Sequence, residues 1–286
     1  MKGEHSIERL CEVLEVARSG YYRWKAAPIT QRKRQDAQLA SRIAVHHRKS
    51  RGNYGSPRIV ADLRAEGLET SRRRCLRLMR EQGLQGKKRH RRKPRTTDSR
   101  HGQPVAPNVL PLLEKPTAPN QAWATDITFI ETGEGWLYLA VILDLWSRRV
   151  VGWACAPTMA STLVLAALHD ALKRRQPKPG LMHHSDRGSQ YVDQKYIDAL
   201  ERAGIARSMS RSGNCYDNAT MESFWSGLKT ETGFDVHPPS TREDARLAIF
   251  DHIETFYNPS RRHSSLGYLS PVAFELKYSK SDSLAA

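Results

Sequence analysis

The chain has 286 residues, 39% hydrophobic and 8% aromatic, enough for one large domain or two to three small ones with real cores. Lys and Arg number 46 against 30 Asp and Glu, a net charge of +16, and 28 of the basic but 11 of the acidic residues fall in positions 1–115; a phosphate backbone is the counterpart such a block suggests, a solvated surface or an acidic partner being the alternatives. An apolar leader, a run approaching roughly 18 apolar residues and any paired Cys/His spacing are missing, which argues against secretion, a membrane span, a zinc knuckle or a disulfide framework, and for a reduced cytoplasmic setting.

Residues 1–50 read as a helical segment. In "SIERLCEVLEVARSGYYRWKA", Ser6 caps a first helix with Ile7, Leu10 and Leu14 on one face. "VARSG" turns into a second element carrying Tyr21, Tyr22 and Trp24, a pair compatible with a helix-turn-helix. Residues 51–86 make a better case. Ser56 reads as an N-cap, Pro57 as the first helical residue, Ile59, Val60 and Leu63 as the buried stripe, and Gly67 as the stop. Thr70 or Ser71 then caps a second helix with Cys75, Leu76 and Met79 inward and Arg72, Arg73, Arg74, Arg77 and Arg80 on its other faces. A helix apolar on one side and arginine-rich elsewhere suits groove reading or phosphate tracking. Residues 87–118 are basic, then rich in Pro, Ser, Thr and Gly. They read as a linker lying along DNA, with Lys87, Lys88, Arg89, Arg91 and Arg92 as phosphate contacts.

The texture changes at residue 119. "AWATDITFIET", "GWLYLAVILDLWS" and "RRVVGWAC" are three β-prone runs, with Gly133 and Gly135 suited to a hairpin between the first two. "TLVLAALHDALKRR", "LMHHSD", "QYVDQKYIDALERAG", "IARSMS" and "ATMESFWSGLKTE" then alternate helix and strand. The order β-β-β-α-β-α-β-α predicts an α/β core over 119–235, a mixed sheet with helices on its faces. A helix over "TREDARLAIFDHIETFYN", with Ile249, Phe250, Ile253, Phe256 and Tyr257 inward, and a basic tail make up 236–286.

In this layout Asp126 lies within the first strand and Asp186 at the end of the fourth. The two strands can be neighbours in a mixed sheet. On the last core helix, Met221, Phe224, Trp225 and Leu228 mark the buried stripe, and Glu222 sits at its edge, able to reach a sheet end. Three carboxylates converging from three elements repel unless cations join them. Oxygen ligands suit Mg²⁺ or Mn²⁺, and two such ions about 4 Å apart serve phosphodiester chemistry.

Between Asp126 and Asp186 lie 59 residues, and between Asp186 and Glu222 lie 35. With "YGSPRI", "WATDITFI", "HHSDRGSQY", "SMSRSGNCYDNATMESFWSGLKTE" and "YNPSRRHSSLGYLSP" in that order, the chain resembles the DDE transposases and retroviral integrases over residues 50–271. The nearer resemblance is to insertion-sequence transposases in which a second reading frame encodes the integrase-like catalytic part. It implies an RNase H-like five-stranded fold, and Asp126, Asp186 and Glu222 as catalytic residues holding Mg²⁺ or Mn²⁺, two ions per site. It implies contact of Lys229, seven residues after Glu222, with the element's end DNA. It also implies cleavage at element ends and strand transfer. The expected partners are double-stranded DNA, as terminal inverted repeats and as target, and further copies of the chain on that DNA. The expected place is the nucleoid of a bacterial cytoplasm, with no membrane. In that group this part is often joined by frameshifting to a short upstream helix-turn-helix product. A chain starting at Met1 is expected to lack that piece, and the product is a further expected partner. A nuclease of the same fold without strand transfer, or a DNA-binding regulator without catalysis, are the alternatives.

Other residues weigh less. Asp144 reads as a strand-end residue bonding the "SRR" turn rather than a fourth site acid. His184 falls on the same side as Asp186 and reads, like Asn218, as a hydrogen-bonding support behind the ligands. Asp217 and Asn218 lie in the loop entering the Glu222 helix; Cys215 reads as packing, and Tyr216 lacks the surroundings of a tyrosine recombinase. Arg261, Arg262 and His263 are candidates for phosphate contact.

Overall fold

The computed structural model describes residues 6–26, 29–88, 106–112, 114–210 and 219–282. Arg89, Arg91, Arg92, Cys215, Tyr216, Asp217 and Asn218 lie outside the described residues. The chain divides into two compact units, Met1–Gly86 and Lys87–Ala286.

The first unit is helical. Ser6 caps α1 (Ile7–Val13) by accepting the Arg9 N–H, and α2 (Arg18–Ala26) packs against it. A 19-residue helix, α3 (Gln31–Lys49), follows. It goes beyond the sequence-based expectations because its apolar stripe is thin: Leu39, Ile43 and His46 are its buried residues. Next come α4 (Ser56–Ala65) and α5 (Arg72–Glu81), joined through Gly67 at φ +77°. Gly55, not Ser56, occupies the α4 cap, and Ser56 is buried within the first turn. On α5 the cap is Ser71, which accepts the Arg74 N–H. The inward residues there are Cys75, Leu78 and Met79, since spacings of three and four share a helix face; Leu76 is only half-buried. Asp36 of α3 accepts Arg74 Nε and Arg77 Nη2, each at 2.7 Å, and so ties α3 to α5. These hydrogen bonds, Arg77's first, hold the Asp36 carboxyl below its ordinary value.

The second unit contains β1 (Ala122–Thr132), β2 (Gly135–Asp144), β3 (Val150–Ala156), α6 (Ser161–Arg175), β4 (Met182–Ser185), α7 (Gln194–Arg202), β5 (Ala206–Met209) and α8 (Ala219–Thr232). These are the expected elements in the expected order. The sheet runs β3-β2-β1-β4-β5, with β1, β2 and β3 antiparallel and β4 and β5 parallel to β1. This is the mixed five-stranded sheet of an RNase H-like fold. Alternation along β1 sorts its two faces. Trp123 joins a core with α6 and α7, while Ala124 and Ile130 join a second core with α8 and α9 (Arg242–Phe250). At Gly152 of β3, α6 lies directly on the strand: a Cβ there would meet the Ala167 carbonyl oxygen at 2.4 Å.

Thr241 and Asp244 form a capping box at the start of α9. A π-helical turn, Asp251–Tyr257, continues it. The wider winding turns Ile253, Phe256 and Tyr257 inward and leaves Phe250 51% exposed, against the expected stripe. Just beyond, the Asn258 side chain accepts the Val150 N–H and donates to the Val150 carbonyl, serving as partner to edge strand β3. Finally α10 (Pro271–Asp282) brings Glu275 to the β2–β3 turn. No helix among the described residues is long and apolar enough to cross a membrane.

Candidate active site

Strand register decides where the first two carboxylates stand. Parallel pairing matches Ala124 of β1 with His184 of β4. Asp126 lies two residues beyond Ala124 on β1, and Asp186 two residues beyond His184, just past the end of β4. Asp126 pairs across β2 with Val141, which belongs to the core under α8, so its side chain shares that face. Asp186 follows the last residue of β4. Its Oδ1 accepts the Gly188 N–H at 2.9 Å, closing a small turn before the single 3₁₀ turn Ser189–Tyr191. The buried Tyr191 reports on both carboxylates: burial raises its hydroxyl well above the ordinary range, and the charges of Asp186 and Asp126 raise it further.

The third element is α8. Met221, Phe224, Trp225 and Leu228 are buried, as the period predicts, and Glu222 is exposed in the first turn. A carboxylate in that position is favoured by the helix dipole. The sequence did not disclose what Trp225 does. Its indole Nε1–H donates to Asp126 Oδ2 at 2.8 Å, tying the helix that carries Glu222 to the strand that carries Asp126. At the start of the same helix, Arg148 Nη1 donates to Thr220 Oγ1. A tryptophan three residues after a candidate acid was the available signal, because a buried indole N–H demands an acceptor.

Among the described residues, no group of three or more His, Cys, Asp or Glu side chains is gathered closely enough to hold a metal ion. The donor set nevertheless suits one kind of ion. Asp126, Asp186 and Glu222 offer carboxylate oxygens, a ligand type that suits Mg²⁺ or Mn²⁺ rather than a softer metal.

Lys229 lies on α8, half-buried, with Nζ 5.2 Å from the centre of the Phe129 ring. Burial lowers its ammonium pKa, against the pull of Asp235. The histidines before Asp186 are buried. His184 Nδ1 bonds Ser208 Oγ at 3.0 Å, joining β4 to β5, and His183 Nε2 bonds the Tyr196 hydroxyl at 2.7 Å. Burial pushes His183 down to about 3, so it is neutral near pH 7. Asp144 is the strand-end residue the sequence suggested. Its Oδ1 accepts the N–H groups of Trp146 and Ser147 and the Ser147 hydroxyl, and Oδ2 accepts the Asn120 N–H.

The basic candidates separate by environment. Arg72 and Arg73 are exposed in the first turn of α5, whereas Arg74 and Arg77 hold Asp36. Lys88 is exposed, and Lys87 donates to the Glu231 carbonyl at 2.7 Å. Arg261 is buried at 6% exposure. Its Nε and Nη2 grip the Glu231 carboxylate of α8 at 2.7 to 2.9 Å, and Nη2 lies against Gly227. Arg262 Nη1 donates to the Tyr268 carbonyl, and His263 stacks edge-on to Tyr257. That cluster braces α8 from the side of the tail.

Two family profiles described as "Integrase core domain" match residues 116–215 and 203–271, and one described as "HTH-like domain" matches 33–93. The chain is 45% identical over 269 residues to the "Insertion element IS600 uncharacterized 31 kDa protein" of Shigella sonnei, covering 94% of this chain and 98% of that one. It is 42% identical over 278 residues to "Transposase InsF for insertion sequence IS3A" of Escherichia coli K12, covering 96% of each. A solved HTLV-2 integrase catalytic core in complex with magnesium aligns with 56% of this chain and 98% of its own, at 16% identity and a TM-score of 0.42.

Proposed function

We propose a function that follows from family membership: the chain belongs to the insertion-sequence transposases that carry an integrase core domain. In this reading it is the catalytic subunit that cuts DNA at the ends of a mobile element and joins those ends to a target. Water attacks the phosphorus at the element's end. A new P–O bond forms as the bond to the 3′ oxygen breaks, leaving a 3′-hydroxyl and a 5′-phosphate. That hydroxyl then attacks a target phosphodiester, and the target's own 3′ oxygen leaves with a proton. One phosphodiester replaces another, so no high-energy cofactor is needed.

Asp126, Asp186 and Glu222 would hold the divalent ions. Bound Mg²⁺ or Mn²⁺ supplies the positive charge that eases deprotonation of the nucleophile and stabilises the leaving oxygen. Asp126 and Asp186 approach from the sheet and Glu222 from α8, so the reacting phosphate is received at the sheet end. Lys229, on the same helix as Glu222, contacts end DNA. Arg72 and Arg73 present charge to the phosphates of the terminal repeats. Two ends must be joined in one event, which implies at least two copies on DNA.

What supports this reading is the parallel pairing of β1, which carries Asp126, with β4, which leads into Asp186, together with the Trp225–Asp126 bond that ties α8 to β1. The test uses supercoiled plasmid bearing the gene's native flanks, purified protein with Mg²⁺ or Mn²⁺, and mapping of new 3′ ends and joints. Joints at the flanking repeats that vanish with Glu222→Gln are expected. Cuts without joints would reduce the reading to a nuclease, and binding without cuts, repeated after fusion to the upstream-frame product, would reduce it to a regulator.

A further inference from the structure

A buried indole on α8 has more to do than fill space. Trp225 is 8% exposed and lies in the stripe with Met221, Phe224 and Leu228, whose side chains pack without polar atoms. Tryptophan differs from them in one atom that matters here, an N–H that donates and never accepts. That N–H reaches Asp126 Oδ2 at 2.8 Å, within the range of a charge-assisted hydrogen bond. We propose that Trp225 is a positioning residue for the active site: its indole N–H fixes the orientation of the Asp126 carboxylate and, through one turn of α8, the place of Glu222 beside it. The proposal rests on the assignment of Asp126 and Glu222 as metal ligands.

Geometry gives the reason. Residues three apart on a helix share a face, and 1.5 Å of rise per residue puts Glu222 about 4.5 Å along the axis from Trp225. A bond from the indole to β1 therefore sets both the height and the rotation of Glu222 relative to Asp126. It also stops the Asp126 carboxylate from turning about its own bond, so the cation meets a ligand already aimed. A carboxylate oxygen that accepts one N–H keeps a second lone pair, so the tether and a metal do not compete for all of the ligand. The helix does not depend on this tether alone. Arg148 holds Thr220 at the start of α8, and Arg261 holds Glu231 near its end. Loss of the indole bond should leave the helix docked and the carboxylates misaligned.

The test compares Trp225→Phe, which keeps a large ring and deletes the donor, with Leu228→Ala, which loosens the same helix without touching Asp126. Mn²⁺ binding to the full chain is read from the electron paramagnetic resonance of the free ion, beside melting temperature and the kcat and KM for cleavage of a duplex carrying the element's end. Trp225→Phe should weaken Mn²⁺ binding and lower kcat by roughly 10- to 100-fold, the usual effect of removing a partner that orients a ligand. KM for DNA should hold. Leu228→Ala should lower the melting temperature with little change in Mn²⁺ affinity. Wild-type Mn²⁺ affinity and kcat in Trp225→Phe would overturn the proposal. So would an equal loss of Mn²⁺ affinity in Leu228→Ala, since the indole would then serve packing alone. Glu222→Gln separates this from the reading it rests on: if that variant still binds Mn²⁺ and cuts DNA as wild type does, the site assignment itself fails.

Discussion

Gly188 stands two residues after Asp186, and its N–H holds the Asp186 Oδ1 at 2.9 Å. A Cβ at that position would come within 3.0 Å of the same oxygen and 2.7 Å of Gln190 Oε1. The glutamine is a long side chain that can swing away. Asp186 cannot move without giving up its turn. Gly188→Ala is therefore expected to displace the carboxylate by a few tenths of an ångström while sparing the fold, and kcat should fall, by less than the roughly hundredfold that a misplacement near 1 Å costs. Cleavage at saturating DNA would read the loss, with DNA affinity by fluorescence anisotropy and the melting temperature unchanged. A wild-type kcat would mean that the position of this carboxylate does not limit the reaction. The same bond gives Asp186 in "HHSDRGSQY" a local role besides the proposed one. An aspartate before a glycine is ordinary turn chemistry, and Asp186 does bond its turn. Turn chemistry and ligation use different lone pairs of one carboxylate, so the first does not argue against the second.

Element packing makes its own demands. At Gly152, α6 presses its Ala167 carbonyl and Ala171 onto β3, and a methyl group there would strike backbone at 2.4 and 2.6 Å. Gly152→Ala should destabilise the second unit by about 3 kcal/mol, the upper end for overpacking, seen as a lower urea midpoint at unchanged slope. The strap from α10 makes a prediction about pH. Burial alone would raise the Glu275 carboxyl, but Arg175, Arg149 and the Ser147 hydroxyl outweigh it and hold the folded pKa below the ordinary 4.5. A depressed carboxyl stabilises above its unfolded pKa, and that contribution is lost as pH falls through the folded one. The stability gap between wild type and Glu275→Gln should therefore be widest near neutrality and close in the acid range below about 4.5. Equilibrium unfolding at a series of pH values checks it, and a constant gap would count against the linkage. The core elements were legible because they carry periodic signals: alternation in β1, and the three-and-four spacing of Met221, Phe224, Trp225 and Leu228. The polar ties were not. Trp225 with Asp126, Arg261 with Glu231, and Arg74 with Asp36 join residues 99, 30 and 38 apart in the chain. No local pattern announces such a pair, since each depends on which elements the sheet and helices bring side by side. For the same reason Arg261 read as a surface cation until its buried partner was visible, and the π turn after Phe250 broke a stripe that a uniform period had extended.

On the scale of the whole chain, the basic excess in positions 1–115 reads as one phosphate-seeking block, but the first unit divides its arginines between two tasks. Arg74 and Arg77 neutralise Asp36 and hold α3 to α5, so part of the positive charge is already balanced within the fold. Arg72 and Arg73 are exposed where α5 begins and have the phosphate-contact role proposed for them. Substituting that pair with alanine should weaken binding to duplex DNA and flatten its salt dependence, the slope of log K against log salt falling by about 0.9 for each phosphate no longer neutralised. Cleavage at saturating DNA should be unchanged, because the proposed catalytic residues all lie in the second unit. Arg74→Ala should behave in the opposite way, lowering the melting temperature of the first unit because Asp36 would then be without one of its two guanidinium partners. Titrations at several salt concentrations, run beside thermal melts, distinguish the two. If Arg72→Ala with Arg73→Ala left the salt slope intact, the recognition surface would have to lie on another face of the basic block. If Arg74→Ala flattened the slope without altering the melt, its bond to Asp36 would be one that DNA displaces, and the division of charge within the first unit would be a property of the unbound chain alone.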